Sequence, residues 1–336
     1  MKNLLLIALA FFLTACGGGD GGTNAVDADA VSIVKKSGFN GSIIFKKNDQ
    51  TILQHSFGLA DRDKNIANDI ATRYRIGSLT KAFTALAIVH LKNTHLINDY
   101  DDPLSLYLPD YPNGNQITIR HLLNHLSGIT EYTRFISPDR SYTPLEIIDL
   151  FKDRDLEFVP GSAFSYSNSN YILLGYLIEV LSKRSYIDYI QTHILSPLGM
   201  VNTEYANSTI QGADYAKGYV SSNDEAEFID MSIPYAAGAL SSNIIDMDIW
   251  ASAFIKNDFI SDVDKNIIFG DLNYSFGWGI TTINQKYAYL HAGGISGFSS
   301  VIAILPDDNS VLIALSNVEG QSDILNNVVT QLINRY

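Results

Sequence analysis

Strand-like segments stand at both ends of this 336-residue chain, and helical segments lie between them. Near the start, residues 42–47 and 51–58 are rich in strand formers and are joined by Asn48-Asp49-Gln50, which predicts a hairpin. Near the end, the pattern predicts four consecutive strands, over residues 274–283, 286–291, 298–305 and 310–316. This arrangement predicts an α+β fold: a mainly antiparallel sheet formed by the N- and C-terminal strands, flanked by helices, with an inserted helical lobe. A cleft between the lobes is the expected place for a site.

The middle of the chain predicts helices from apolar spacing and from start and stop signals. Thr143-Pro144 provides an N-cap and a proline at the first helical position, and Gly128 follows a helical segment as a stop signal. The predicted helices cover residues 78–91, 118–126, 145–151, 170–181, 186–195 and 244–254, with a last one from about residue 323. We see no internal repeat, so residues 31–336 are predicted to form one catalytic unit.

Composition narrows the class of protein. With 46% hydrophobic residues the chain can bury a packed core, and its formal net charge of −13 argues against a nucleic-acid partner, because phosphate binding needs clustered Lys and Arg. The sequence lacks G-x-S-x-G and Walker motifs, and no dinucleotide-binding glycine motif follows a predicted strand, so we expect neither an α/β-hydrolase nor a bound cofactor. His121 and His125 have the spacing of a metal pair on a helix, but no third ligand accompanies them, and a structural role is favoured over a metal site.

The first 30 residues resemble an export and anchoring segment. A basic start is followed by ten apolar residues (4–13), too few to span a bilayer, and then by Leu13-Thr14-Ala15-Cys16. This tetrapeptide looks like a bacterial lipobox, which predicts a signal peptide over 1–15, lipid attachment at Cys16 and a Gly- and Asp-rich tether over 16–30. The protein is expected to be an exported lipoprotein facing the periplasm. Gly17 favours the outer over the inner membrane in a Gram-negative host.

Ser78-Leu79-Thr80-Lys81 places a serine and a lysine three residues apart at a predicted helix start. Residues at this spacing share a helix face, so Lys81 can reach Ser78 and act as a base if burial lowers its pKa. Free backbone N–H groups at the helix start would favour a developing oxyanion. Ser32-Ile33-Val34-Lys35 has the same spacing, so the motif is weak by itself and is more often a capped, solvated helix start.

Tyr166-Ser167-Asn168 is a second candidate. A phenol beside a protonated lysine can be driven toward phenolate and serve as a base, and the Asn168 amide offers a donor and an acceptor to a substrate amide. Tyr111 and Tyr205 also stand two residues before an asparagine, and a core tyrosine beside a turn is the ordinary interpretation of such a pair.

His291-Ala292-Gly293-Gly294 is the third candidate, at the predicted end of a strand. Glycines there let a substrate backbone approach a strand edge, and a backbone N–H can complete an oxyanion hole. The alternative is a hairpin with two turn glycines and an incidental histidine.

Taken together and in this order, the three segments resemble the motifs of the serine β-lactamase and D,D-peptidase superfamily, with the class C-like branch nearest. The first motif includes Arg75-Ile76-Gly77 before Ser78, and the resemblance as a whole spans roughly residues 40 to 335. It implies the β-lactamase/transpeptidase-like fold, with Ser78 as nucleophile and with Lys81 and Tyr166 sharing the acid and base work. It also implies that Asn168, His291, Gly293 and Gly294 bind substrate, with the N–H groups of Ser78 and Gly294 forming the oxyanion hole.

Many relatives have lysine and threonine where this chain has His291 and Ala292. Because a neutral histidine suits a substrate carboxylate less well than lysine does, D-amino-acid peptides and small esters are favoured over β-lactams as substrates. The expected protein is a monomeric serine hydrolase of D,D-carboxypeptidase or esterase type. A penicillin-binding lipoprotein with slow turnover, which binds cell-wall peptides without processing them, is the alternative.

Overall fold

The computed structural model describes residues 27–209, 214–220, 224–256, 258–270 and 272–336. Cys16, the predicted signal peptide and residues 16–26 of the predicted tether lie outside these ranges, so lipid attachment stays a prediction. The first helix begins at Ala28, where Asp27 is the N-cap, and Ala30 is fully buried. The folded body therefore begins a few residues before the boundary at residue 31 that the sequence predicts.

A seven-stranded antiparallel sheet forms the centre of the fold, in the strand order β2-β1-β12-β11-β10-β9-β8. β1 pairs with β12 from Gly41 opposite Ser316 to Lys47 opposite Ser310, which joins the two ends of the chain. The α+β prediction is thereby confirmed. The strands are β1 (Gly41–Lys47), β2 (Gln50–Phe57), β3 (Leu59–Asp61), β4 (Ile66–Ala67), β5 (Tyr74–Arg75), β6 (Glu204–Tyr205), β7 (Leu240–Ser242), β8 (Tyr274–Ser275), β9 (Trp278–Ile283), β10 (Lys286–Ile295), β11 (Phe298–Leu305) and β12 (Ser310–Ser316).

Helices surround this sheet on both faces. Within the described part of the chain, none of them has both the length and the apolar character needed to cross a bilayer. The helices are α1 (Ala28–Lys36), α2 (Thr80–Asn93), α3 (Ile119–Leu123), α4 (Pro144–Asp149), α5 (Asn168–Ser182), α6 (Tyr186–Ile190), α7 (Ser196–Leu198), α8 (Tyr235–Gly238), α9 (Ile244–Ile255), α10 (Asp262–Ile268) and α11 (Ser322–Arg335).

Two hydrophobic cores explain why the last strands are continuous apolar runs instead of alternating patterns. On one face of the sheet, Ile302 and Ile313 pack into the large core of the helical lobe. On the other face, Val301 and Leu312 pack against α1 and α11. Every residue of β11 and β12 is buried, as expected for strands covered on both sides.

Local turn chemistry accounts for some boundaries and corrects others. Asn48 and Asp49 both have positive φ between β1 and β2, which fits the hairpin predicted there, although the connection is two residues long and not three because β2 begins at Gln50. The strand predicted over 274–283 is divided into β8 and β9 by a turn at Phe276 and Gly277, both with positive φ. The Gly277 backbone packs against α2, where a Cβ would lie 2.7 Å from the Ala82 nitrogen.

The strand predicted over 286–291 is longer in the structure, and the alternative of turn glycines at the third motif is wrong. β10 continues through His291 to Ile295, and the chain turns at Ser296 and Gly297, where the glycine φ is 80°. Gly293 and Gly294 are paired with β11, opposite Ser300 and Ser299. Their glycine identity therefore has another cause than a turn.

Candidate active site

Ser78 lies on a short 3₁₀ turn (Gly77–Leu79) that leads directly into α2. The turn is anchored to β7 by a hydrogen bond of 3.0 Å from the Ile76 N–H to the Leu240 carbonyl. Gly77 has a φ of 53°, and Ser78 is partly exposed while the residues on either side of it are buried. The serine hydroxyl is thus presented at the start of a helix where backbone N–H groups have no helical partners.

Lys81 is completely buried one turn further along α2. Its Nζ lies 3.0 Å from Ser78 Oγ, 2.7 Å from Asn168 Oδ1 and 2.8 Å from the Ala237 carbonyl. Burial lowers the lysine pKa to about 7, against the smaller opposing effect of the Glu131 charge. A neutral amine can keep donating to both carbonyl oxygens and turn its lone pair toward Ser78, so Lys81 is arranged to accept the serine proton.

The depressed pKa of Lys81 makes protein stability depend on pH. Above pH 7 the unfolded chain, in which this lysine has its ordinary pKa of 10.5, binds more protons than the folded chain does. Raising the pH from 7 to 9 is therefore expected to increase the free energy of unfolding by about 2 to 3 kcal/mol through this group. Denaturant titrations of the parent and of Lys81→Met at both pH values measure this increase. Equal pH responses of the two proteins would contradict it.

Tyr166 reaches Ser78 from the other side. Its hydroxyl donates to Ser78 Oγ at 3.0 Å, and Lys81 Nζ lies 5.0 Å from the centre of its ring. Desolvation raises the pKa of the phenol above its ordinary value, and the Glu131 charge adds to this effect. The tyrosine is thus a protonated donor in the free protein. This differs from the expected phenolate, because the expectation assumed a charged neighbouring lysine.

Asn168 is the first residue of α5 and lies between Lys81 and the cleft. Its backbone N–H donates to Glu131 Oε2 at 2.6 Å, and its side-chain oxygen accepts from Lys81. Among the described residues, Asn168 Nδ2 has no hydrogen-bond acceptor, so this donor is available to a substrate carbonyl. The sequence does not identify Glu131 as a site residue, because an isolated glutamate in a loop carries no recognisable signal.

The motif around His291 supplies an open strand edge beside Ser78. β9 pairs with β10 only as far as Leu290, whereas β11 pairs with it as far as Ile295. A Cβ on Gly293 would lie 2.2 Å from the Ile76 carbonyl oxygen, and a Cβ on Gly77 would lie 3.0 Å from the Gly294 nitrogen. The two backbones therefore approach as closely as glycine permits, which puts the segments carrying the Ser78 and Gly294 N–H groups side by side.

His291 is buried in the wall of the site, with its ring 6.5 Å from that of Tyr166 between centroids. Burial and the nearby Lys81 charge lower its pKa to about 3, so the imidazole is neutral. Its Nε2 lies 3.1 Å from the Tyr274 hydroxyl and its Nδ1 lies 2.7 Å from the Ala292 carbonyl. The sequence predicts that His291 binds substrate, but in the structure both nitrogens already have protein partners.

His121 and His125 do not form the helical pair that their spacing allows. α3 ends at Leu123, and His125 has a φ of 56°, so the two histidines are not on one helix face. His125 is fully buried and accepts a hydrogen bond from the Ser167 N–H, while its ring packs 4.3 Å from that of Tyr166. No cluster of metal-ligating side chains occurs in the described ranges. His125 thus supports the tyrosine motif.

The other Ser-x-x-Lys and Tyr-x-Asn segments of the sequence lie elsewhere in the structure. Ser32 and Lys35 are within α1, which packs on the opposite face of the sheet. Tyr111 packs at the edge of the large core, and the Tyr205 hydroxyl donates to the Met231 carbonyl. One Ser-x-x-Lys segment and one Tyr-x-Asn segment therefore meet at the same place: Lys81 contacts Ser78 and Asn168, and Tyr166 contacts Ser78.

A cavity of about 640 Å³ lies near this cluster, although Ser78, Lys81, Tyr166 and Gly294 are not among the residues that line it. Its wall includes Arg75, three residues before Ser78, and Ser296, two residues after Gly294. Because consecutive Cα atoms are about 3.8 Å apart, the Cα atom of Arg75 lies within roughly 11 Å of the Ser78 Cα atom. Phe228 and Phe298 supply apolar surface to the cavity.

Comparisons with known proteins cover most of the chain. The sequence model of the Beta-lactamase family matches residues 35–334. Penicillin-binding protein 4* of Bacillus subtilis (strain 168) is 30% identical over 319 residues, covering 86% of this chain and 70% of that protein. A D-stereospecific amidohydrolase from Streptomyces sp. aligns with a TM-score of 0.77 at 25% identity, covering 90% of this chain and 96% of that one. D-amino acid amidase from Ochrobactrum anthropi SV3 shares the fold, with a TM-score of 0.81 at 23% identity over 91% and 100% of the two chains.

Proposed function

The chain belongs to the Beta-lactamase family, and from that premise we propose that it is a serine hydrolase that forms an acyl-enzyme on Ser78. The observation that carries the proposal is the position of Ser78 Oγ, 3.0 Å from both Lys81 Nζ and the Tyr166 hydroxyl. One group is a buried amine with a pKa of about 7, and the other is a protonated phenol. A serine with a base on one side and an acid on the other is equipped for acyl transfer.

The proposed reaction begins when Lys81 takes the Ser78 proton and Ser78 Oγ attacks the substrate carbonyl. The oxyanion is bound by the backbone N–H groups of Ser78 and Gly294, and Asn168 Nδ2 donates to the acyl part. Tyr166 then protonates the leaving group as the bond to it breaks, and Lys81 returns a proton to Tyr166. Water repeats these transfers in reverse to release the acid, so the nucleophile and both proton carriers are restored.

We propose D-amino-acid peptides and small esters as the substrates, ahead of β-lactams. The Streptomyces relative is named a D-stereospecific amidohydrolase, and the Bacillus relative is named a penicillin-binding protein. The neutral His291 offers no positive charge to a substrate carboxylate, which weakens the case for efficient β-lactam hydrolysis. The second name supports the alternative of a penicillin-binding protein with slow turnover, which would use the same Ser78.

Intact-mass spectrometry after incubation with a fluorescent penicillin tests the acyl-enzyme. The parent is expected to gain one adduct, which Ser78→Ala abolishes and Ser32→Ala leaves unchanged, because Ser32 has the same Ser-x-x-Lys spacing but lies in α1. Rapid clearance of the adduct would support a hydrolase, and a long-lived adduct would support the penicillin-binding alternative.

If penicillin leaves no adduct, the same three proteins are assayed with N-acetyl-D-alanyl peptides and p-nitrophenyl esters. Loss of turnover in Ser78→Ala alone is the expected result. Equal turnover by Ser78→Ala and the parent on all of these substrates would contradict the proposal.

A further inference from the structure

Hydrogen bonds within the protein determine which nitrogen of His291 carries the proton. The Ala292 carbonyl can only accept, so Nδ1, at 2.7 Å from it, must be the N–H donor. In the neutral ring Nε2 is then a bare acceptor, and the Tyr274 hydroxyl at 3.1 Å donates to it. Burial raises the pKa of Tyr274 well above its ordinary value, so this hydroxyl keeps its proton. Tyr274 thereby holds His291 in one tautomer.

Tyr274 also fixes the position of the ring by packing. It lies on β8, and its ring centroid is 5.7 Å from that of His291 and 5.9 Å from that of Phe164. Phe164 is 55% exposed, and Tyr166 lies 6.0 Å from Tyr274. We call Phe164, Tyr274 and His291 the aromatic wall. It stands directly beside Tyr166.

In the proposed reaction, the leaving group departs on the side of the site where the aromatic wall lies. Tyr166 is the proton donor for the leaving group in the proposed reaction, so the departing atom must lie near its hydroxyl and therefore near the aromatic wall. Lys81, whose charge adds to the effect of burial in lowering the pKa of His291, is completely buried, and its Nζ is already hydrogen-bonded to protein oxygens. A carboxylate on the leaving group would lose water against the wall without gaining a positive partner.

We propose that Tyr274 is a positioning residue for the reaction, and that the aromatic wall it completes selects substrates whose leaving group carries no carboxylate. The inference rests on the proposed function and narrows its substrate class to D-amino-acid amides, esters and peptides with a blocked C-terminus. Under it, hydrolysis of D-peptides with a free C-terminal carboxylate, the carboxypeptidase activity, is the poorer reaction.

A matched pair of peptides tests the selection. N-acetyl-D-alanyl-D-alanine and N-acetyl-D-alanyl-D-alaninamide share the acyl part and the scissile bond, and they differ only in a carboxylate against a carboxamide. We expect kcat/KM to be about tenfold or more higher for the amide, because the unpaired carboxylate is desolvated. Equal rates, or a preference for the free acid, would overturn the inference. Reaction with neither peptide would also overturn it, whereas equal turnover of the peptides and esters by Ser78→Ala and the parent would overturn the proposed function itself.

Substitutions at His291 locate the selection in the wall. His291→Lys places an ammonium there and is expected to shift the preference toward the free acid by about tenfold or more. His291→Gln, which stays uncharged, is expected to keep the preference for the amide. An unchanged preference in a folded His291→Lys protein would show that the selection lies elsewhere.

Tyr274→Phe tests the positioning role. Loss of one hydrogen bond is expected to lower kcat/KM for the amide about three- to tenfold. Nitrogen NMR of labelled histidine provides a readout that a purely structural role would not move, because the His291 Nε2 signal should shift when its donor is removed. Tyr287→Phe is the matched control, since Tyr287 lies on β10, the strand that carries His291, but is 37% exposed. If Tyr274→Phe leaves both the Nε2 signal and kcat/KM as in the control, Tyr274 does not position His291.

Discussion

Lys81→Met is expected to lower kcat/KM on a D-alanyl ester by about 1,000-fold at pH 7, within the range usual for the loss of a general base. Methionine has a similar length but cannot accept the Ser78 proton, and it leaves the Asn168 oxygen and the Ala237 carbonyl without their donor. In the parent, kcat/KM should rise with pH through about 7 as Lys81 becomes neutral, and this rise should be absent from the residual activity of the variant.

Lys265→Met provides the control for losing a buried amine. Lys265 lies on α10, outside the cluster around Ser78, and is 9% exposed. Its Nζ donates a hydrogen bond of 2.5 Å to the Lys256 carbonyl. Its replacement should cost stability and leave kcat/KM within about twofold of the parent. If Lys81→Met retained a tenth or more of the parental kcat/KM, with the same pH profile, Lys81 would not be the base.

The sheet could be predicted from the sequence because its strands carry local signals. Two positive-φ residues, Asn48 and Asp49, form the first hairpin, and strands covered on both faces are unbroken apolar runs. What the pattern does not contain is the pairing of β1 with β12, which joins segments about 270 residues apart. That pairing forms because burying both faces of one sheet stabilises the fold, and burial is a tertiary effect.

The residues that meet at Ser78 were also predictable, because chemistry restricts which side chains can form such a cluster. The residues that hold this cluster in place could not be predicted. Glu131, His125 and Tyr274 come from loops and a two-residue strand, and each acts only through partners that are distant in the sequence. The surroundings of His291 could not be predicted for the same reason, since its two hydrogen-bond partners determine what the ring can do.

The sequence left two interpretations of the third-motif glycines open, a strand edge approached by substrate and a turn, and the structure pairs both glycines with β11. Gly293 lets the edge of β10 lie against the chain that leads into Ser78. Gly293→Ala is therefore expected to lower the rate of Ser78 acylation about 100-fold, because an added Cβ at 2.2 Å from the Ile76 carbonyl must push the two backbones apart. Overpacking of this kind should also lower the free energy of unfolding by about 1 to 3 kcal/mol.

Gly294→Ala is the matched comparison for stability, because a Cβ there meets nothing within 4 Å. Its free energy of unfolding should stay within about 0.5 kcal/mol of the parent, as is usual for a substitution into open space. Near-equal stabilities of the two alanine variants would show that the close approach at Gly293 is not required.

A double variant separates the two obstacles that a Cβ at position 293 would meet. One is the Ser300 hydroxyl, 2.3 Å away, and the other is the backbone carbonyl of Ile76. Ser300→Ala removes the first and leaves the second, so it should not restore acylation in the Gly293→Ala protein. Recovery would mean that a movable side chain was the obstacle. Continued loss would place the requirement in the backbone, where only glycine allows the strand edge that binds substrate to lie against the turn that carries the nucleophile.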